Sequence, residues 1–338
     1  MRTRGRGGAV VGAIRVVLIL AIVASVAALG VAIEFERRVT RPGPLEADQV
    51  LWIKRGDGVD NVTRSLTSLG ALERPVLLKV AARLEKLTPA LRAGEFVIPA
   101  GSSIRDIIAI LKDGDPLLRF VTVPEGMTSR QAAAIIDAAP MLTGTVDPLP
   151  AEGSLLPETY SYQRGDDRNA VVARMQAAHD RLLSSLWPDR DPQLPLDTPE
   201  EAVILASIVE KETGVAAERP RVAAVFVNRL NRGMRLQSDP TIIYGLTQGE
   251  PLGRGLYRSE VQRETPYNTY VIDGLPPTPI ANPGEASLRA VLNPLSTDDL
   301  YFVADGTGGH VFAKTLAEHS RNVREWRKIE AARRKAGQ

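Results

Sequence analysis

The longest apolar run in the chain is Val16 to Ile33, "VVLILAIVASVAALGVAI", eighteen residues without a charge. At 1.5 Å per residue it spans about 27 Å, close to the hydrocarbon thickness of a bilayer. The pattern predicts a transmembrane helix over 16–35. Arg2, Arg4, Arg6 and Arg15 precede it, so the positive-inside bias keeps residues 1–15 in the cytoplasm as a basic tail. Arg37, Arg38 and Arg41 beyond the run weaken that bias. A cleaved signal peptide ending in the small residues of "ASVAA" is the competing pattern. The apolar residues continue well past them, which favours an uncut anchor. Either reading exports the chain from about residue 36.

Past a Pro/Gly-broken linker over 36–49, containing "RPGPLEADQ", three segments share one pattern: "LWIKRGDGVDNVTRSL", "EFVIPAGSSIRDIIAIL" and "FVTVPEGMTSRQAAAII". Each reads as a strand, a glycine (Gly56, Gly101, Gly126) and then an Asp, Ser or Thr where a helix N-cap belongs. In the second copy Ile104, Ile107, Ile108 and Leu111 recur at helical spacing, and "RPVLLKVAARLEKL" between the first two copies predicts another amphipathic helix. Residues 50–115 therefore form a small α+β module, and the third copy leads into a larger α+β domain over 116–330. There, Thr198, Pro199 and Glu201 predict a capping box opening a helix over 200–213. "RVAAVFVNRLNRG" predicts a second helix ending at Gly233. Loops and short strands are expected after it, then a basic amphipathic helix "LAEHSRNVREWRKIEAARRKA" and a basic tail over 331–338.

Composition narrows the function. The 338 residues carry a net charge of +2, with 44% hydrophobic and 24% charged residues, ordinary for a folded protein. No Lys/Arg stripe interleaves with aromatics, which argues against nucleic-acid binding. The absence of Cys removes thiolate metal sites, disulfides, Cys nucleophiles and lipoprotein processing. His179, His310 and His319 are too scattered to argue for a metal. "GTGGH" lacks dinucleotide-binding spacing, and no P-loop, HExxH or GxSxG pattern is present.

The candidate chemistry lies at the end of the 200–213 helix, in "ASIVEKETG". Leu205, Ile208, Val209 and Glu212 fall at i, i+3, i+4 and i+7, so Glu212 continues an inward-facing apolar stripe. Glu210 lies about 200° away around the helix. A carboxyl at a helix C-terminus meets the negative end of the macrodipole, and partial burial also disfavours its charge. Both effects suit a general acid. The alternative is an ordinary exposed last turn capped by Gly214.

The stretch Ala206–Leu246, "ASIVEKETGVAAERPRVAAVFVNRLNRGMRLQSDPTIIYGL", resembles the signature of endolytic murein transglycosylases of the YceG-like family. So do "ETPYNTYVIDGLPPTPIANPGEASLRAVLNP", "LYFVADGTGGHVFAKTLAEHSRNV", "VPEGMT" and "EGSLLPETYSY", the last departing from the family's aromatic-rich version. The likeness runs from Leu51 to Arg327. It implies a single-pass inner-membrane protein with a LysM-like module and a catalytic domain facing the cell wall. The implied reaction is cleavage of the MurNAc-β-1,4-GlcNAc bond within glycan strands, without water or cofactor, leaving 1,6-anhydro-MurNAc ends. Implied partners are peptidoglycan strands and peptidoglycan synthases. The family's acid matches Glu212. Its cleft matches Glu158, Thr159 and Tyr160, then Gln237, Ser238, Asp239 and Tyr244, and finally Asn268 and Tyr270. Each of these nine has an alternative reading as a buried structural residue. Glu158 is the alternative acid. A hydrolase using Glu158 or Asp239 as base, and a non-catalytic wall-binding scaffold, are the competing functions.

Overall fold

The structure is a computed structural model that describes residues 6–87 and 91–335. Arg2 and Arg4 of the expected cytoplasmic tail, residues 88–90 of the module and residues 336–338 of the basic C-terminal tail lie outside the described residues. The chain divides into two compact units, one through Leu118 with Gln163–Gly165, the other holding Arg119–Tyr162 and the chain from Asp166.

In the first unit, helix α1 (Arg6–Thr40) contains an apolar stretch long enough to cross a membrane, none of it buried within the protein. The helix does not stop where the apolar run stops. It continues through Thr40, into the stretch read as a linker, because Val39 is buried in the module's core and Phe35 packs against it. Glu36 pairs with Arg105 at 2.6 Å. The rest of that linker is packed as well: the Gly43 N–H donates to the Gly101 carbonyl, and the Gly101 N–H to that of Leu45.

Strands β1 (Gln49–Ile53) and β2 (Gly94–Ile98) pair antiparallel with Leu51 opposite Phe96. Helices α2 (Val59–Ser68) and α3 (Pro75–Leu84) lie between them in sequence, and α4 (Ile104–Asp113) follows. Leu51, Ile53, Leu66, Leu78, Phe96, Ile98, Ile107 and Leu111 form one core. The three repeat glycines all take the left-handed conformation, with φ of +87° at Gly56, +70° at Gly101 and +74° at Gly126. That conformation penalises a Cβ. Ser103 and Thr128 then cap α4 and α5 (Ser129–Ala138) with full capping boxes. The first copy departs: Gly58 is the N-cap, and the Asp57 carboxylate instead accepts from the Lys54 N–H and the Asn61 side chain.

The second unit has two cores. One joins α5 and α6 (Arg168–Leu186) to β3 (Arg119–Thr122), which pairs antiparallel with β4 (Thr159–Tyr162). The other packs α7 (Pro199–Glu212), α8 (Arg219–Asn231) and α11 (Glu285–Leu292) together. Three helices, α9 (Asp239–Thr247), α10 (Arg258–Val261) and α11, occupy the region expected to be loops and short strands. They are too short for a 3.6-residue period to show, although Pro240 in the first turn of α9 was a readable start signal. Only β5 (Tyr301–Ala304) and β6 (His310–Ala313) are strands there; they form a hairpin before α12 (Leu316–Lys335). The described residues thus make a mixed α+β architecture with three separate two-stranded antiparallel sheets.

Candidate active site

The buried helix α7 delivers its last residue into a cleft. Thr198 opens it by accepting from the Glu201 N–H, but the Glu201 carboxylate reaches the Asp197 N–H rather than closing a full capping box. Leu205, Ile208 and Val209 are fully buried, and Glu212 follows on the same stripe. The helix ends without a left-handed Gly214. Thr213 is extended, and its hydroxyl accepts from the Val215 N–H.

Glu212 lines a cleft of about 460 Å³ together with Gln237, Asp239 and Tyr270. Phe226, Arg229, Tyr301, Phe302 and His319 are among its other lining residues. Ser238 donates to Glu212 Oε1 at 2.6 Å. Ser238 is 1% exposed, and its own N–H donates to Thr269 Oγ1 at 2.9 Å. This support is built on strain: Gln237 holds φ of +53°, a conformation costing a non-glycine residue about 1–2 kcal/mol. Hydrogen bonds from the Gln237 N–H to the Thr269 carbonyl and from Arg229 to the Gln237 side chain hold it there. The turn aims Ser238 at the carboxyl.

Burial is the main cause that pushes the Glu212 carboxyl up to about 7. The Asp239 charge raises it further, whereas Ser238, His310 and Arg229 oppose the shift. Near neutrality Glu212 therefore exchanges a proton readily in either direction, the requirement for a group that gives a proton and takes one back. Beside it, Tyr270 donates its phenol to Asp239 Oδ1 at 2.7 Å. Burial first, and Asp239 second, hold that phenol in its neutral, donating form.

Residues 51–325 match the profile of the YceG-like family. The chain belongs to that family. It is 30% identical over 322 residues to an endolytic murein transglycosylase of Streptococcus pneumoniae serotype 2 (strain D39 / NCTC 7466), an alignment covering 81% of this chain and 57% of the relative. A Bacillus subtilis (strain 168) protein of the same name is 36% identical over 172 residues, 51% of this chain and 47% of that protein. The chain thus spans about half the length of the curated relatives it matches. A crystal structure of a putative YceG-like protein from Listeria monocytogenes aligns with a TM-score of 0.50 at 26% identity, covering 82% of this chain and 99% of that one.

Of the residues matched to the family's cleft, Gln237, Asp239 and Tyr270 surround Glu212, and Ser238 supports it. The others stand elsewhere. Glu158 is exposed on the approach to β4, its carboxylate accepting from the Thr159 N–H. Thr159 meets the Thr122 hydroxyl across the β3–β4 pair, and the Tyr160 phenol donates to the Leu156 carbonyl. Tyr244 packs edge-on against Tyr267 and donates to Glu152, which also accepts from the Ser129 N–H. Asn268 is fully buried, and its amide donates to the carbonyls of Glu260, Val261 and Arg263. These bonds hold the loop together. Sequence reasoning missed Arg229, Tyr301 and His319. Tyr301 and His319 stack at 5.1 Å, yet eighteen residues separate them and no local period links them to Glu212.

Glu210 has a structural role on the opposite side of α7. Its carboxylate accepts from Arg219 at 3.3 Å and from the Gly284 N–H at 3.0 Å. It thus caps α11, whose own N-cap Gly284 has no side chain to do so. Hydrogen bonds to charged groups contribute about 1.5–3 kcal/mol each, so Glu210→Gln is expected to lower the unfolding free energy by roughly that amount while sparing the cleft. Urea unfolding alongside an assay per folded molecule checks this; unchanged stability with lost activity would reverse the roles of the two glutamates.

Proposed function

We propose that this chain is a membrane-anchored endolytic murein transglycosylase with Glu212 as its acid–base residue. The observation that carries the reading is the Glu212 carboxyl, half-buried at the end of α7 and held by Ser238, with a raised pKa of about 7. The naming of the curated relatives supports the same activity.

Protonated Glu212 gives its proton to the glycosidic oxygen between MurNAc C1 and GlcNAc O4, and the C1–O4 bond breaks. The C6 hydroxyl of the same MurNAc then attacks C1, forming the C1–O6 bond of the 1,6-anhydro ring, and its proton passes to the Glu212 carboxylate. Atoms balance without water, and the enzyme ends as it began. A hydrolytic glycosidase needs a second carboxylate; here the nucleophile is already tethered, and intramolecular attack has a large effective molarity. The Tyr270–Asp239 pair and the Tyr301 ring supply hydrogen bonding and an apolar face for sugars. α1 spans the membrane with its N-terminus inside. The first unit, whose β-α-α-β order supports a LysM-like reading, holds glycan, and synthases on the same membrane supply nascent strands.

Mass analysis of products from purified glycan strands tests the reaction. Fragments ending in 1,6-anhydro-MurNAc, 18 Da below the hydrolytic product, are expected. Reducing ends alone would establish a hydrolase, and intact strands a scaffold.

A further inference from the structure

The module carries an outward apolar face on helix α3. Helix α3 buries Leu78, Ala81 and Ala82. On its other side Val76 is 69% exposed, Val80 43% and Leu84 69%. Lys79 and Arg83 fall on the same stripe at three- and four-residue spacing. Three large apolar side chains in line on a ten-residue helix form an unusual face to present to water.

The stripe runs toward the membrane helix. Leu84, Ala81 and Ala109 of the module line one groove with Ala32 and Phe35 of α1. Ala32 belongs to the last turn of the apolar run Val16–Ile33, whose length of about 27 Å fills the hydrocarbon layer. Leu84 therefore lies level with the edge of that layer. The charges at this height are unequal. Glu34 pairs with Arg38, Glu36 with Arg105, Glu85 with Arg105 and Lys112, and Asp60 with Lys79. Arg83 lines the same groove as Val76, Val80 and Leu84, and Arg37 and Arg74, with Arg38, stand near Glu34.

We propose that this face of α3 docks on the bilayer that α1 crosses. Val76, Val80 and Leu84 enter the boundary between headgroups and acyl chains, while Arg83, with Arg37 and Arg74, meets anionic phospholipid headgroups. The combination is that of an interfacial amphipathic helix, here fixed to a transmembrane segment through the buried Val39 and the half-buried Phe35 of α1. Docking sets the height and tilt of the module above the membrane. The inference rests on the anchor reading of α1.

The chain has no Cys, so single-cysteine variants of the full protein can carry an environment-sensitive fluorophore without background. Val23→Cys, Leu84→Cys and Ser68→Cys, the last exposed on another groove of the module, would be reconstituted in phosphatidylcholine vesicles with and without phosphatidylglycerol. Iodide in the water and nitroxide-bearing lipids would serve as quenchers. Expected are a deep signal at Val23, a shallow one shielded from iodide at Leu84, and free iodide access at Ser68. Adding Arg83→Gln to the Leu84 probe should lower the docked-to-free ratio about fivefold with phosphatidylglycerol present, from the typical contribution of one basic residue at an anionic surface. Iodide access at Leu84 equal to that at Ser68, with Val23 still deep, would overturn the docking alone. Val23 in water would overturn the anchor as well. Equal shielding without phosphatidylglycerol would remove the role of anionic headgroups.

Discussion

Glu212→Gln is expected to abolish glycan cleavage and, above pH 7, to make the protein more stable. The amide neither donates the proton to the leaving oxygen nor accepts one from the C6 hydroxyl. General acid–base catalysis is worth about 10²–10⁴-fold, and one group serving both half-steps puts the loss at or beyond the upper end. The gain in stability follows from the raised pKa of about 7. Unfolded, this carboxyl titrates near 4.3. A group whose folded pKa is raised stabilises below its unfolded value, and that contribution is lost as pH rises through the folded one. Between about pH 4.3 and 7 the wild type should therefore lose up to about 3–4 kcal/mol from this site. Gln, with no charge to desolvate, is exempt. Urea unfolding of both proteins at pH 5 and pH 8 should show the variant's relative stability rising with pH. A parallel pH dependence would mean that Glu212 carries no such shift. In the wild type, cleavage should fall above pH 7 as the acid form is depleted.

Arg229→Met should cost about 3–5 kcal/mol, comparable to breaking a buried charged network. Arg229 is 7% exposed. Its Nε donates to the Leu300 carbonyl at 2.7 Å and its Nη1 to the Leu236 carbonyl, also at 2.7 Å. Methionine fills much of the volume but leaves both carbonyls without a donor, each a loss of about 1–3 kcal/mol. These carbonyls lie just before β5 and before the strained turn that carries Ser238, so the damage should reach the cleft. Arg229→Lys should fall between the two, because one ammonium does not reproduce a planar fork with fixed directions. A Met variant within about 1 kcal/mol of wild type in urea unfolding would show that water or relaxation satisfies both carbonyls.

How much of the site was legible depended on how far apart in sequence its parts lie. The placement of Glu212 at the buried end of α7 was readable because its evidence is local: three apolar residues at helical spacing and a helix ending at the next residue. Ser238 and Asp239 were reached only through resemblance to a family. Composition and period say nothing about a turn held left-handed at Gln237 by a contact to Thr269. Asn268 shows how much of a side chain's bonding the sequence leaves open. An amide in a Tyr-rich loop suits N-acetyl sugars in principle; that its Nδ2 donates to three backbone carbonyls of one loop is visible only in the folded chain.

The amino-acid sequence by itself determined the membrane-length helix, the strand–glycine–helix repeat with its caps, the buried α7 and the carboxyl at its end. All of these arise from interactions within a few residues or from apolar length alone. Only the tertiary structure decided that α1 continues into the module, because the force that extends it is burial of Val39 and Phe35 against distant residues. It decided likewise that Glu210 caps α11 while Glu212 faces a cleft walled by Arg229, Tyr301 and His319. A carboxyl's role is set by what solvates it: the helix puts two glutamates two positions apart on opposite faces, and the packed neighbours decide what each face meets.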